Sequence, residues 1–185
     1  ILIDYLKMHE FHLPSDGLRW NNFTQFADRL DRIGLGLNLV PLVSHGAIRI
    51  AFLGAEDRIP SDEELEGMKS LLGDSLEQGA WGLSTGLIYP PGSFAKTEEI
   101  EDLAKIAARY GALYTSHIRG EGATLTEALD EAVRVGKNSG VRVEVSHLKA
   151  MGKDNWGRAK DVLLKLEKAR QGGVEAPQGQ GTPPP

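Results

Sequence analysis

The sequence predicts an α/β fold in which parallel strands alternate with helices. Three observations predict it: short apolar runs separate amphipathic helical stretches, the alternation recurs several times, and three of the five histidines directly follow a strand candidate. The first helix is expected over residues 21–33, where Phe23, Phe26, Ala27, Leu30 and Ile33 recur at helical spacing. Residues 37–43 are then an apolar run, read as a strand that stops at Ser44-His45-Gly46. Ser61-Asp62-Glu63-Glu64 has the pattern of a capping box and opens a helix with Leu65, Met68, Leu72 and Leu76 on one face, ended by Gly79.

Residues 81–85 form the next strand candidate, leading into a loop punctuated by Gly86, Pro90, Pro91 and Gly92. Thr97 is placed to cap a helix whose first turn holds Glu98 and Glu99, which suits the helix dipole. That helix runs to Tyr110-Gly111, and residues 112–116 form a strand closed by His117. Leu125, Leu129, Ala132, Val133 and Gly136 mark a fourth helix, broken by Gly140. Residues 141–146 are a strand closed by His147, and residues 156–169 a fifth helix. Within that last strand Arg142 and Glu144 alternate with valines, unusual for a strand covered on both faces.

Alternation of this kind implies right-handed βα units and a parallel sheet, which either an open doubly wound sheet or a closed (β/α)8 barrel satisfies. No Gly-x-Gly-x-x-Gly follows a strand and no Walker-type lysine loop occurs, so a nucleotide-binding sheet is disfavoured. Composition narrows the rest. The net charge of −5 argues against nucleic acid and anionic membranes as partners, and no apolar run approaches a membrane span. The chain has no cysteine, so neither disulfides nor thiolate metal ligands are available within it. It begins at Ile1 with nothing that reads as a signal peptide. A cytoplasmic location is expected, with the true N-terminus missing and any targeting signal lost with it.

Chemistry is expected at the strand ends, because in a parallel βα array the carboxyl ends of the strands form the ligand-binding face. His117 and His147 hold equivalent positions on consecutive strands and make a natural half-site for zinc. His45 is a further candidate, whereas His9 and His12 read as surface residues. Glu121 and Asp154 are carboxylates near the same rim, read simply as solvated loop charges.

At these residues a family resemblance emerges. Gly79-Ala80-Trp81-Gly82-Leu83-Ser84-Thr85-Gly86-Leu87-Ile88-Tyr89-Pro90-Pro91 resembles the signature loop of the N-acyl-D-amino-acid deacylases, the D-aminoacylases of the amidohydrolase superfamily. Tyr114-Thr115-Ser116-His117-Ile118-Arg119-Gly120-Glu121 is similar to a second motif of that family. A third is Ser146-His147-Leu148-Lys149-Ala150-Met151-Gly152, followed by Asn155-Trp156-Gly157. Residues 38–49 resemble a fourth, with Ser44 where glycine is usual.

The resemblance implies a partial (β/α)8 TIM-type barrel of metal-dependent hydrolase type over residues 20–171, truncated at both ends. Outside that span, residues 1–19 read as an irregular segment, and the Gly/Gln/Pro composition of 172–185, with almost no apolar content, reads as a disordered or foreign tail. The implied parent is a zinc-dependent hydrolase cleaving the amide of N-acyl-D-amino acids, with His117 and His147 as metal ligands. The family's early His-x-His pair, bridging Cys and late general-base Asp have no counterpart here, so no catalytic base is expected within the chain.

Lys149 and Arg119 are the implied partners of the substrate carboxylate. Taken alone, each reads as a loop cation. Ile88, Tyr89 and Met151 are the implied walls of the side-chain pocket. The implied partners are a small N-acyl amino acid and the missing remainder of the barrel. Two alternatives are a cyclic-amide hydrolase of dihydroorotase or hydantoinase type, which commonly bridges metals with a barrel lysine that no strand here presents, and a non-catalytic half-barrel.

Overall fold

The computed structural model describes residues 20–174, so the expectations for 1–19 and 175–185 lie outside the described residues. Helices and strands alternate as expected, apart from one additional helix after the first strand. In order they are α1 (Phe23–Ile33), β1 (Val43–Ser44), α2 (His45–Leu53), α3 (Asp62–Glu77), β2 (Gly82–Gly86), α4 (Thr97–Arg109), β3 (Leu113–His117), α5 (Leu125–Ser139), β4 (Arg142–Val145) and α6 (Ala159–Gln171). The strands form one parallel sheet in the order β1-β2-β3-β4, so every strand's carboxyl end points the same way.

The register explains the alternating valines and charges of β4. Leu83, Tyr114 and Val143 stand side by side across the sheet and are buried in the core under the helices. Successive side chains point to opposite faces, so the neighbouring row Ser84, Thr115 and Glu144 lies on the other face, which is polar. Arg142 donates to the Gly111 carbonyl at 2.8 Å, and Glu144 accepts from Ser146 Oγ at 3.0 Å. The helix-covered side is apolar: Met68 and Leu72 of α3, Ile100 and Leu103 of α4, and Leu129 and Val135 of α5 are fully buried. Burying each such side chain contributes roughly 1.5–3 kcal/mol.

Several local expectations differ from the structure. The strand expected over residues 37–43 shrinks to Val43–Ser44, and Leu37 is 86% exposed. Pro41 offers no ladder N–H, and only Val43 and Ser44 find partners on β2. Directly after that strand comes α2, a helix that hydrophobic periodicity left unread. Ser44 caps it by accepting from the Ala47 amide, and its residues are apolar on more than one side because it is buried on more than one side.

The capping box forms as written: Ser61 Oγ accepts from the Glu64 amide and Glu64 accepts from the Ser61 amide. Thr97, expected as a cap, is instead the first residue of α4, and its hydroxyl donates to Glu131 on α5. The last helix begins at Ala159 rather than 156, after Gly157 takes a left-handed φ of 89°. Val174 is buried against Gly136, so ordered chain continues past residue 171. No helix among the described residues is long and apolar enough to cross a membrane.

Candidate metal centre

The carboxyl ends of β3 and β4 bring His117 and His147 together. Their rings lie 4.4 Å apart, edge to face at 77°. His117 is the last residue of β3, and the Leu87 amide donates to its carbonyl. His147 follows β4 with φ at +40°, a left-handed conformation uncommon for a side chain of this size. Strain of that kind persists where surroundings over-determine it and clusters at functional sites. Here the flanking bonds hold it: the Ser146 amide donates to the Ser116 carbonyl, and the Met151 amide to the Glu121 carbonyl.

Glu121 completes the group. Read from sequence as a solvated loop charge, its side chain is only 6% exposed. Its Oε1 lies 3.5 Å from His117 Nε2 and 3.4 Å from His147 Nδ1. Donors about 2.0–2.1 Å from a tetrahedral zinc stand about 3.3–3.4 Å from one another, so the two spacings from Glu121 to the histidines fit. The chemistry fits as well, with two imidazoles and one carboxylate. His117 Nε2 is buried without a hydrogen-bond partner, a state that a metal ligand would relieve. Among the described residues, His117, Glu121 and His147 are the one such grouping able to share an ion.

Burial holds the His117 imidazole below its ordinary pKa; Glu121 opposes that shift, and His147 and Lys149 add to it. The ring is therefore neutral near pH 7, the form that binds metal. Lys149 donates to Glu121 and stands 3.1 Å from His147 Nδ1, so its ammonium neutralises the buried carboxylate.

The other expected site residues divide. Tyr89 packs edge-on against His117 with ring centroids 5.2 Å apart, although the residue is 60% exposed. Ile88 is its part-buried neighbour, and Met151 is tied to the centre through its backbone amide and has an exposed side chain.

Arg119 is not free for a substrate carboxylate. Its guanidinium makes a two-pronged pair with Glu131 and donates to the Ser93 and Ala95 carbonyls. His45 lies at the same end of the sheet and does not join the centre. It is fully buried, with Nε2 2.8 Å from Glu99, which also accepts from Arg49 at 2.5 Å. Burial pushes the Glu99 carboxyl up, but the bonds from His45 and Arg49 prevail and hold it below the ordinary range. The trio joins α2 to the start of α4, a packing role. Asp154 is exposed.

No family model matches the chain. Curated relatives do. An N-acyl-D-glutamate deacylase of Alcaligenes xylosoxydans xylosoxydans is 42% identical over 139 residues, 75% of this chain and 28% of that protein. A D-aminoacylase of the same organism is 35% identical over 82% of this chain and 31% of its own length. The chain is a homologue of the N-acyl-D-amino-acid deacylases. It spans about a third of the length of the deacylases it matches.

Solved deacylase structures share the fold. The N-acyl-D-glutamate deacylase of Bordetella bronchiseptica, complexed with zinc and a phosphonate that mimics the tetrahedral intermediate, superposes with a TM-score of 0.80 at 36% identity. It covers 84% of this chain, which covers 33% of it. D-aminoacylase itself, described as defining a novel subset of amidohydrolases, gives a TM-score of 0.81 at 34% identity over 85% of this chain and 33% of its own. A further D-aminoacylase structure is described as holding a binuclear metal centre.

Proposed function

We propose that this chain supplies part of the zinc site of an amidohydrolase that cleaves the amide of N-acyl-D-amino acids. One observation carries the proposal: in a chain homologous to the D-aminoacylases, the donors of His117, Glu121 and His147 converge within 4.8 Å at the carboxyl ends of adjacent strands.

His117, His147 and Glu121 would hold the ion. Bound zinc supplies Lewis acidity toward an amide carbonyl and toward water. Around it the chain's own groups bind and orient. Lys149 is the cation nearest the centre and suits the free carboxylate of an N-acyl amino acid, as a point charge rather than a fork. With Arg119 committed to Glu131, that role falls to Lys149 alone among the cations proposed for it. Tyr89, with Ile88 and Met151, would wall the space beside His117 and shield it from water. The sheet edges at β1 and β4 are where further strands would add in a closed barrel.

Zinc binding to the purified chain by equilibrium dialysis tests the metal site. Stoichiometric binding should be lost in His117→Ala and His147→Ala, and Glu121→Gln should weaken it. Zinc binding indifferent to all three replacements would sink the reading. For the substrate, the polypeptide carrying this segment, loaded with zinc, should hydrolyse members of a panel of N-acetyl-D-amino acids and spare their L enantiomers. Turnover of neither series would overturn it.

A further inference from the structure

We infer that Arg119 is a positioning residue that sets the ring of Tyr89 against His117. The inference rests on the proposed role of His117 in the site, but the contact it concerns is measurable without metal.

Arg119 lies two residues beyond His117 in a loop that would otherwise present a free cation. Instead, four bonds fix its guanidinium. Nε and Nη2 donate to the two carboxylate oxygens of Glu131 on α5, each at 2.9 Å, while Nη1 and Nη2 reach the Ser93 and Ala95 carbonyls at 3.0 Å. Glu131 is held in turn by the Thr97 hydroxyl at 2.9 Å. Only a planar fork of fixed geometry can serve a carboxylate and two diverging carbonyls at once.

The two carbonyls belong to the β2–α4 loop that carries Tyr89. Ser93 passes the constraint along: its carbonyl accepts from Arg119, and its amide donates to the Tyr89 carbonyl at 2.9 Å. At the near end of the loop, the Leu87 amide donates to the His117 carbonyl at 3.0 Å. The loop is therefore anchored to the end of β3 on both sides of Tyr89. The tyrosine itself is mostly exposed, so burial contributes little to holding its ring over His117. Bonds to the loop backbone hold it: from outside the loop the His117 carbonyl supplies one, before Tyr89, and Arg119 supplies two, after it.

Nuclear magnetic resonance on the metal-free chain tests this. The wild type should show a nuclear Overhauser effect between the Tyr89 and His117 rings, a ring-current shift on the His117 signals, and protected loop amides. In Arg119→Ala the ring contact should vanish, and exchange of the Ser93 amide should quicken at least tenfold relative to β3 amides. Arg119→Lys and Glu131→Gln should move the same signals in the same direction, and they keep the test open if the alanine variant does not fold. Ser61→Ala, which weakens the remote start of α3, is the control for general loss of stability and should leave the Tyr89–His117 contact intact. Persistence of that contact in the folded Arg119 variants, or its equal loss in Ser61→Ala, would overturn the inference. Zinc affinity, measured separately, reports on the metal reading alone.

Discussion

Lys149 donates to Glu121 and stands 3.1 Å from Nδ1 of His147, so one ammonium shares two of the three donors that would hold a metal ion. In the metal-free protein it is the counter-charge of a buried carboxylate that would otherwise be costly. An incoming cation must take over both partners.

Lys149→Met should therefore bind zinc more tightly than the wild type, on the order of tenfold, since it removes one competing charge-assisted bond. Competition against a chromophoric chelator at pH 7 reads this directly. Unchanged or weaker binding would show that the lysine does not compete.

His117 should titrate below the ordinary imidazole range in the metal-free protein, because burial disfavours its charged form. The sign for stability follows: below about 6.5 the unfolded chain takes up a proton that the folded ring resists. This contribution is present above the unfolded pKa and is lost as pH falls through the folded value. Following the His117 ring signals against pH checks the shift, and a midpoint at or above 6.5 would contradict it.

Gly82→Ala should be among the most disruptive single changes. A Cβ there would meet the Leu113 carbonyl oxygen at 2.1 Å, in the backbone of the paired strand, where nothing can rotate away. The β2–β3 ladder would have to part, at a cost of roughly 3 kcal/mol or more. Denaturant melting would show it, and a loss under 1 kcal/mol would mean that the strands separate easily.

Ser61→Ala should cost about 1 kcal/mol by removing one half of the capping box of α3. Glu64 keeps its two-pronged pair with Arg58, which with the Ser61 amide holds its carboxyl near pKa 2. The helix should remain and only its first turn loosen, visible as faster exchange of the Glu64 amide.

How much was legible depended on the range of the interaction. The capping box of α3, the breaks at Gly79 and Gly140, and the four strands are written in a few neighbouring residues, and they appear in the structure within a residue or two, apart from the shortened β1. The helix α2 was not legible, because a helix buried on several sides has no single apolar stripe. Ser44 at its start and Gly54 at its end were its local signs. Glu121 was missed for a related reason: a loop glutamate reads as solvated until the chain places it between two histidines.

By itself, the sequence determined the alternation of strand and helix, and with it the parallel sheet that puts His117 and His147 at the same end. Periodicity and capping are local, and right-handed βα crossovers leave little choice of topology. Only the tertiary structure decided which charged groups would meet. His45 was drawn to Glu99, Arg119 to Glu131, and Lys149 to Glu121, each across loops or helices that no spacing rule connects. The physical reason is desolvation: a buried charge must find a partner, and which partner is near is settled only when the elements pack.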